Sequence, residues 1–377
     1  MTDPFRFIHS SDLHLGKRFG NFDGDLPGRL REARHGVLGR LAVFAREYGA
    51  GTILLAGDTF DTETPAPDIR RQALAEMQHH APVQWVILPG NHDSLQAAQL
   101  WEALRADIPD NVTLAIEPKP LAVAPDVVLL PAPCTARRPG RDLTDWFDAA
   151  ATPDGSLRIG LAHGAIQSFT EESDASDVIA PDRSDRSGLS YLALGDWHGT
   201  LSVNARTWYS GTPEPDRFKH NRVGEALLVS LAGATAPPDI THLETGSFNW
   251  QTVALDLLPD DDPAAALAAL LPDGHARRQS LTRIAASGRT SLAARATLLN
   301  AVDSVRPEFA FLDLDDGELM IDFDAADLDR IDRAGALREA ADALLAEARD
   351  DRKSHDEQEV ASNALKRLYA YCHRMDS

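Results

Sequence analysis

TILLAGDTFD, residues 52–61, is an unbroken apolar run from Ile53 to Ala56 that ends on Gly-Asp-x-x-Asp. A short run with no polar alternation reads as a strand covered on both faces, which places Asp58 and Asp61 in the turn that follows. The pattern recurs on either side. RFIHSSD (6–12) reads as a buried strand and leads into Asp12-x-His14. Between the two runs, RLREARHGVLGRLAVFAREYG (29–49) sets Leu30, Val37, Leu38, Leu41, Phe44 and Ala45 on one helical stripe, ended by Gly49 and Gly51. Downstream come a helix at 68–81, a strand at 83–91 and a helix at 95–105. Strand candidates follow at 111–116, 121–133, 157–164, 191–198, 207–213 and 224–232. This β-α-β alternation with a strand-rich second half predicts a layered α/β sandwich. Polar motifs stand at or just after the C-terminal ends of the strand candidates, where open α/β sheets place their ligands.

The stretch 168–189 is polar and turn-rich and is expected to be a long surface loop, a length usually tied to function or disorder. After Thr245 the texture changes. Residues 247–325 read as a small β-α-β-α-β-β domain, with Asp262 as N-cap of a short helix and EFAFLDLDD and GELMIDF as two final strands. The remaining 326–377 holds helical patterns at 325–349 and 357–375. Their apolar stripes are Leu337, Ala341, Leu344, Leu345 and Ala348, and Val360, Ala364, Leu365, Leu368 and Tyr369. Such stripes are buried on their own domain or on a partner.

The chain has 377 residues and 43% apolar content, enough for two or three domains. No apolar run approaches the ~20 residues of a membrane span. MTDPFRFIHSSD passes into a strand without a signal-peptide pattern. Cys134 and Cys372 make no disulfide framework. A cytoplasmic setting is therefore the expectation. The net charge of −21 is awkward for a nucleic-acid enzyme, which must then concentrate cations locally or borrow them. Arg137, Arg138 and Arg141 form one small basic cluster, and Arg217, Lys219 and Arg222 another; each taken alone reads first as solvated loop charge.

Five segments carry the chemistry: SDLHLG (11–16), AGDTFD (56–61), PGNHDS (89–94), LAHGA (161–165) and ALGDWHG (193–199). Singly, most have bland readings as turns or satisfied histidines. Jointly and in this order they supply the ligands of a two-metal hydrolytic site. Such a site needs at least one carboxylate shared by two ions ~3.5–4 Å apart, and Asp58 fits that role. One ion is assigned Asp12, His14, Asp58 and His198, the other Asp58, Asn91, His163 and Asp196. Mixed oxygen and imidazole donors suit Mn²⁺, Fe²⁺ or Zn²⁺ better than Mg²⁺. His92 is not needed as a ligand and is the natural general acid. Asp61 is the expected partner to orient its ring, with Asp93 the alternative. Gly57, Gly90 and Gly195 are expected to permit tight turns before the ligand residues. Trp197 walls the site or packs. His9, His79, His80, His220, His242, His275, His355 and His373 lack such context and are expected to serve packing or surface roles.

The order of these motifs resembles the calcineurin-like metallophosphoesterases. FIHSSDLHLG, AGDTFDTETP, PGNHDS, LAHGA, YLALGDWHG and WYSGTPEP together resemble the SbcD-type DNA repair exonucleases, nearest their YhaO-like members. The resemblance covers roughly 1–245 and continues more weakly through LTRIAASGRTSLAARATLL. It implies an αββα metallophosphoesterase sandwich (1–245), a small α+β capping domain (247–325) and C-terminal helices (326–377). It further implies Mn²⁺-dependent cleavage of DNA ends, a homodimer and an SbcC-type coiled-coil ATPase partner. On that pattern 326–377 is the candidate docking segment, and helix 29–49 or 95–105 a candidate dimer face. One position departs: the family usually reads Gly-His-x-His where this chain has Gly195-Asp196-Trp197-His198. A third carboxylate beside Asp12 and Asp58 is expected to hold the ions more firmly while making them weaker Lewis acids.

Two other functions stay open. The same core serves many phosphoesters, so a phosphodiesterase or phosphatase acting on a small nucleotide is the second reading. The third is a mainly structural subunit that docks an ATPase.

Overall fold

The computed structural model describes residues 3–166, 178–219, 223–322, 331 and 335–375. β1 (Phe5–Ser10), β2 (Thr52–Leu55) and β3 (Gln84–Ile87) are the cores of the first three strand candidates. They pair in parallel, with Ile8 opposite Ile53 and Ile53 opposite Trp85. Successive side chains leave a strand on opposite faces. Ile8, Ile53, Leu55, Trp85 and Ile87 enter one core, while Phe7, Leu54 and Val86 enter another. Burial on both faces explains why these runs show no polar alternation.

β4 (Val112–Leu114) extends this sheet at one side, and β11 (Glu225–Leu231) and β12 (Asp239–Glu244) add to it antiparallel at the other. The order is β12-β11-β1-β2-β3-β4. Parallel neighbours require crossovers, which α1 (Leu26–Glu47), α2 (Pro67–His79) and α3 (Ala98–Ala106) supply. Their stripes, among them Val37, Leu38, Leu41, Met77 and Trp101, cover the outer face. α1 starts three residues before the expected Arg29, because Pro27 sits in its first turn, where a preset φ and a missing N–H do no harm.

A second sheet has the order β5-β6-β7-β8-β10-β9. It comprises β5 (Leu121–Ala124), β6 (Val127–Ala132), β7 (Leu157–His163), β8 (Tyr191–Gly195), β9 (Leu201–Asn204) and β10 (Thr207–Tyr209). The expected single strand 121–133 is therefore a hairpin, turning at Pro125 and at Asp126 with φ 58. Leu129, Ile159, Leu161, Tyr191 and Ala193 face the first sheet and meet Phe7, Leu54, Val86 and Leu227. Leu130, Ala162, Leu192 and Leu194 face outward beneath Phe147, Ile179 and Leu189. The layering is αββα, with a thin outer layer over the second sheet: a 3₁₀ turn (Asp145–Ala149) and the single-turn α4 (Arg183–Arg186). Residues 168–177 of the expected surface loop lie outside the described residues. The part from 178 onward is not a surface loop, since Ile179 and Leu189 are buried.

Chain compactness divides at Trp250/Gln251, a division that β13 (Asn249–Leu257) runs through. The second unit holds α5 (Pro263–Leu270), α6 (Gly274–Arg277), β14 (Ser280–Ser291), α7 (Leu292–Val305) and β15 (Phe311–Asp322), followed by α8 (Ala336–Ala348) and α9 (His355–Met375). The Asp262 carboxylate accepts the N–H groups of Ala264 and Ala265 as the N-cap of α5. The two strands expected at 308–323 are one. β15 runs parallel to β14 throughout, and Asp316-Gly317 form a bulge opposite Ala286 instead of a hairpin turn. Helices α8 and α9 bury Ala341, Leu365 and Tyr369 against Leu292 and Ala296 of α7. Leu337 and Val360 from the expected stripes stay exposed. Residues 325–330 and 332–334 of the expected 325–349 helix lie outside the described residues. Among the described residues no helix is long and apolar enough to cross a membrane.

Candidate metal centre

Each of the five segments leaves the C-terminal end of a strand, β1, β2 and β3 from one sheet and β7 and β8 from the other. The two sheets thus bring their polar ends together. Four residues at these ends adopt positive φ: Asp12 (55°), His14 (44°), Asp58 (53°) and Asp196 (101°). Non-glycine residues held there store roughly 1–3 kcal/mol each, and such strain persists only where the surroundings dictate it. Main-chain bonds do so here: Asp12 N–H to Gly57 O (3.1 Å) and His14 N–H to Asp58 O (2.9 Å) stitch the first two turns together. Gly57 alone of the three expected turn glycines uses a positive φ, 89°. At Gly90 and Gly195 the need is for space, since a Cβ at Gly90 would run into Asp58 and one at Gly195 into Ala56 O.

Asp58 lies at the middle. Its Oδ2 is 3.7 Å from His14 Nε2 and 3.5 Å from His163 Nε2. Its Oδ1 accepts the His92 N–H at 2.8 Å. On one side, Asp12 Oδ1 is 4.0 Å from His14 Nε2 and 3.9 Å from His198 Nε2, and the two imidazole nitrogens face each other at 3.3 Å. On the other side, His163 Nε2 is 3.8 Å from Asp196 Oδ1, which accepts the Asn91 amide N–H at 2.8 Å. That bond engages the Asn91 amide nitrogen, so a metal ligand could come only from its carbonyl oxygen.

The residues fit a pair of ions. His163 Nε2 is buried without a hydrogen-bond partner, while Nδ1 donates to Ala56 O at 2.8 Å, so once the ring is neutral the orphaned nitrogen carries the lone pair a cation needs. Donors that share one ion at about 2.0–2.2 Å stand a little over 3 Å apart, close to the spacings found here. Asp12–His14–His198 and Asp12–Asp58–His163 are two such groupings, and His14–Asp61–His92 a third. Buried carboxylates without counter-charges are costly, yet among the described residues the ion-pair partners of Asp12, Asp58 and Asp196 are histidines.

The electrostatics agree. Burial opposes a charge on His163, but Asp58, Asp12 and Asp196 outweigh it and raise the imidazole to about 9. Burial raises Asp196 above the usual carboxylate range. In the ion-free protein His163 therefore holds its proton at pH 7, and an ion must displace it. Binding at pH 7 is expected to release at least one proton per chain, and affinity to weaken as pH falls from 9 towards 6. Calorimetric titration with Mn²⁺ in two buffers of different ionisation enthalpy checks this.

Asp61 is divided among three partners. Its main-chain carbonyl accepts from His92 Nδ1 at 3.0 Å, whereas its carboxylate lies 3.3 Å from His14 Nδ1 and 3.8 Å from Lys17 Nζ. Its contact with His92 is therefore made by the backbone carbonyl and not by the carboxylate. Asp93 has a different task. Its carboxylate accepts the N–H groups of Gly90 (2.7 Å) and Phe60 (3.0 Å), tying together the turns after β3 and β2. Burial and the Asp58 charge push it up to about 7. Asp93→Ala leaves two buried N–H groups unsatisfied at about 1–3 kcal/mol each, so urea unfolding is expected to show a loss of roughly 2–6 kcal/mol.

Several residues at the centre lie outside the five segments. The buried Asp216 carboxylate is 3.4 Å from His198 Nδ1 and 2.8 Å from Lys17 Nζ. Despite burial, His198, Arg34 and Lys17 hold it far below the usual range. Arg34, itself buried, donates to Leu13 O and Glu214 O, and Thr212 Oγ1 donates to Asp12 O. The sequence signal of Thr212 and Asp216 is SGTPEPDR (210–217), a cluster of polar and turn residues directly after β10. Arg217 Nη2 lies 3.3 Å from His198 Nε2, and Lys219 Nζ stands 5.1 Å from the Trp197 ring centre. Two of the three cations in that cluster thus border the centre; Arg222, like His220, lies outside the described residues. His9 is a packing residue. Its ring joins Tyr191 Oη and Leu194 O across the two sheets, and burial lowers it to about 3. Cys134 is buried and its thiol pushed well up by that burial, so it is no reactive thiol.

A family model described as Calcineurin-like phosphoesterase matches residues 5–230. No curated protein matches the chain. Among solved structures the chain is similar to TT1561 of Thermus thermophilus, at 10% identity and a TM-score of 0.42, covering 65% of this chain and 100% of that one. It is also similar to a dimetal phosphatase from Danio rerio (LOC 393393), at 11% identity and a TM-score of 0.36, covering 63% and 99% respectively.

Proposed function

The chain belongs to the calcineurin-like phosphoesterase family, and on that premise we propose that it is a Mn²⁺-dependent nuclease of the SbcD type that hydrolyses phosphodiester bonds at DNA ends in double-strand-break repair. The observation that carries the hydrolytic part is the placement of Asp58 Oδ2, one oxygen within 3.7 Å of His14 and 3.5 Å of His163. We assign Asp12, His14, Asp58 and His198 to one ion and Asp58, Asn91, His163 and Asp196 to the other. Ions held there would lower the pKa of bound water and stabilise charge on the phosphate oxygens.

The remaining work falls to the chain. A carbonyl can only accept, so the bond to Asp61 O fixes one proton on His92 Nδ1, and it is the imidazolium, carrying a second proton on Nε2, that gives that proton to the leaving oxygen and is left as the neutral Nδ1–H ring. The bond from His92 N–H to Asp58 Oδ1 fixes that histidine's backbone to the shared carboxylate. Asp61 and Asp216 brace His14 and His198 from behind. Arg217 and Lys219 offer cations where a phosphate chain would approach.

The DNA substrate is supported by the motif resemblance, by those two cations, and by a second unit whose α8 and α9 leave Leu337 and Val360 exposed for an SbcC-type ATPase partner. A homodimer and a cytoplasmic setting belong to the same reading. The net charge of −21 favours the second reading, a phosphodiesterase acting on a small nucleotide. Incubation with Mn²⁺ and linear duplex or single-stranded DNA, with His92→Ala as control, separates the two. Degradation by the parent protein alone is expected. Turnover of bis-p-nitrophenyl phosphate without DNA degradation leaves only the small-substrate enzyme, and no turnover of either leaves the docking subunit.

A further inference from the structure

Next to the centre, around the turn between β8 and β9, lies a cavity of about 330 Å³. Ile166, Trp197, Leu201, Val203 and Tyr209 line it, and Asp196 forms one polar wall. Asp196 thus belongs to both the cavity and the centre, since its Oδ1 stands 3.8 Å from His163 Nε2. The Tyr209 hydroxyl is satisfied on Gly164 O at 2.8 Å. Leu201, 39% exposed, is a large apolar side chain in a cavity that the charged Asp196 also lines. No hydrolytic role described above uses any of the five apolar residues.

We propose that this cavity receives one unstacked nucleobase of the nucleotide whose phosphate lies at the centre, an inference that rests on the nucleic-acid reading above. Continuity through Asp196 makes the occupant part of the same molecule as the reacting phosphate. The volume lies at the low end of the ~300–1,000 Å³ of ligand cavities, which suits one ring system and excludes a base pair within its stack. Apolar walls with two aromatic side chains offer stacking and few groups to read a base edge, so every base is accepted. Lys219, 5.1 Å from the Trp197 ring centre, carries its ammonium beside this wall and meets the phosphate of a neighbouring nucleotide. A base still paired and stacked cannot enter, so single strands and frayed ends are the preferred substrates.

The test needs no turnover. Full-length His92→Ala protein with Mn²⁺ is titrated into a fluorescein-labelled single strand and into its counterpart with abasic residues, and anisotropy is followed. The base-bearing strand is expected to bind tenfold or more tighter. In the double variant with Leu201→Asp, whose site is partly exposed and on the edge strand β9, the difference is expected to shrink below threefold, with folding checked by thermal melting. Trp197→Phe is expected to keep the difference and Trp197→Ala to lose it. Equal affinity for the two strands, or a difference that survives Leu201→Asp, overturns the proposal. DNA degraded by the parent protein with no base dependence removes this cavity's role and spares the nuclease reading. A base-dependent affinity without DNA degradation does the reverse.

Discussion

Asp58→Asn is expected to empty the centre of both ions and to reduce kcat/KM by well over the ~10–100-fold that follows from changing a residue behind a ligand. One Asp58 oxygen faces both His14 and His163, and the other accepts the His92 N–H. Asparagine keeps a carbonyl oxygen for that N–H and tolerates the φ of 53°, so the turn survives while the shared charge is lost. Elemental analysis of the purified variant beside its kcat/KM checks the point. A variant that keeps two ions and a tenth of the activity would show that Asp58 is not the shared ligand.

His92→Gln is expected to have the opposite signature, full metal content with kcat lowered about 10²–10⁴-fold. The histidine is held at two points, N–H to Asp58 Oδ1 and Nδ1 to Asp61 O, and Nε2 is left to move a proton. A proton donor matters in proportion to the basicity of the leaving group. The loss is therefore expected to be large for a nucleoside leaving group and small for p-nitrophenolate, whose oxygen departs without help. Equal losses on the two substrates would assign His92 to positioning.

The fold was legible wherever a run of apolar residues ended in a charged turn. TILLAGD and VQWVILPGN had the length and composition of doubly covered strands, and the covering helices followed from their stripes. Turn chemistry was harder. Pro125-Asp126 was a readable turn inside the expected strand 121–133, and Asp316-Gly317 looked like a turn but is a bulge, because β14 is long enough to pair with both halves of β15. At the centre, the residues of the five segments could be named because each follows its own strand. What spacing along the chain cannot convey is direction. Asp61 sends its carbonyl to one histidine and its carboxylate to another, and Asp93 braces two turns although it neighbours His92 in sequence. Asp216 and Arg34 were missed because their partners lie far along the chain, Asp216 at His198 and Lys17, Arg34 at Leu13 and Glu214.

Everything assigned to the centre depends on its holding two ions. Native mass spectrometry of the stripped full-length chain, reloaded with Mn²⁺ at pH 8, measures that number directly. Two ions per chain are predicted, and a chain that saturates at one, or takes up none, contradicts the account.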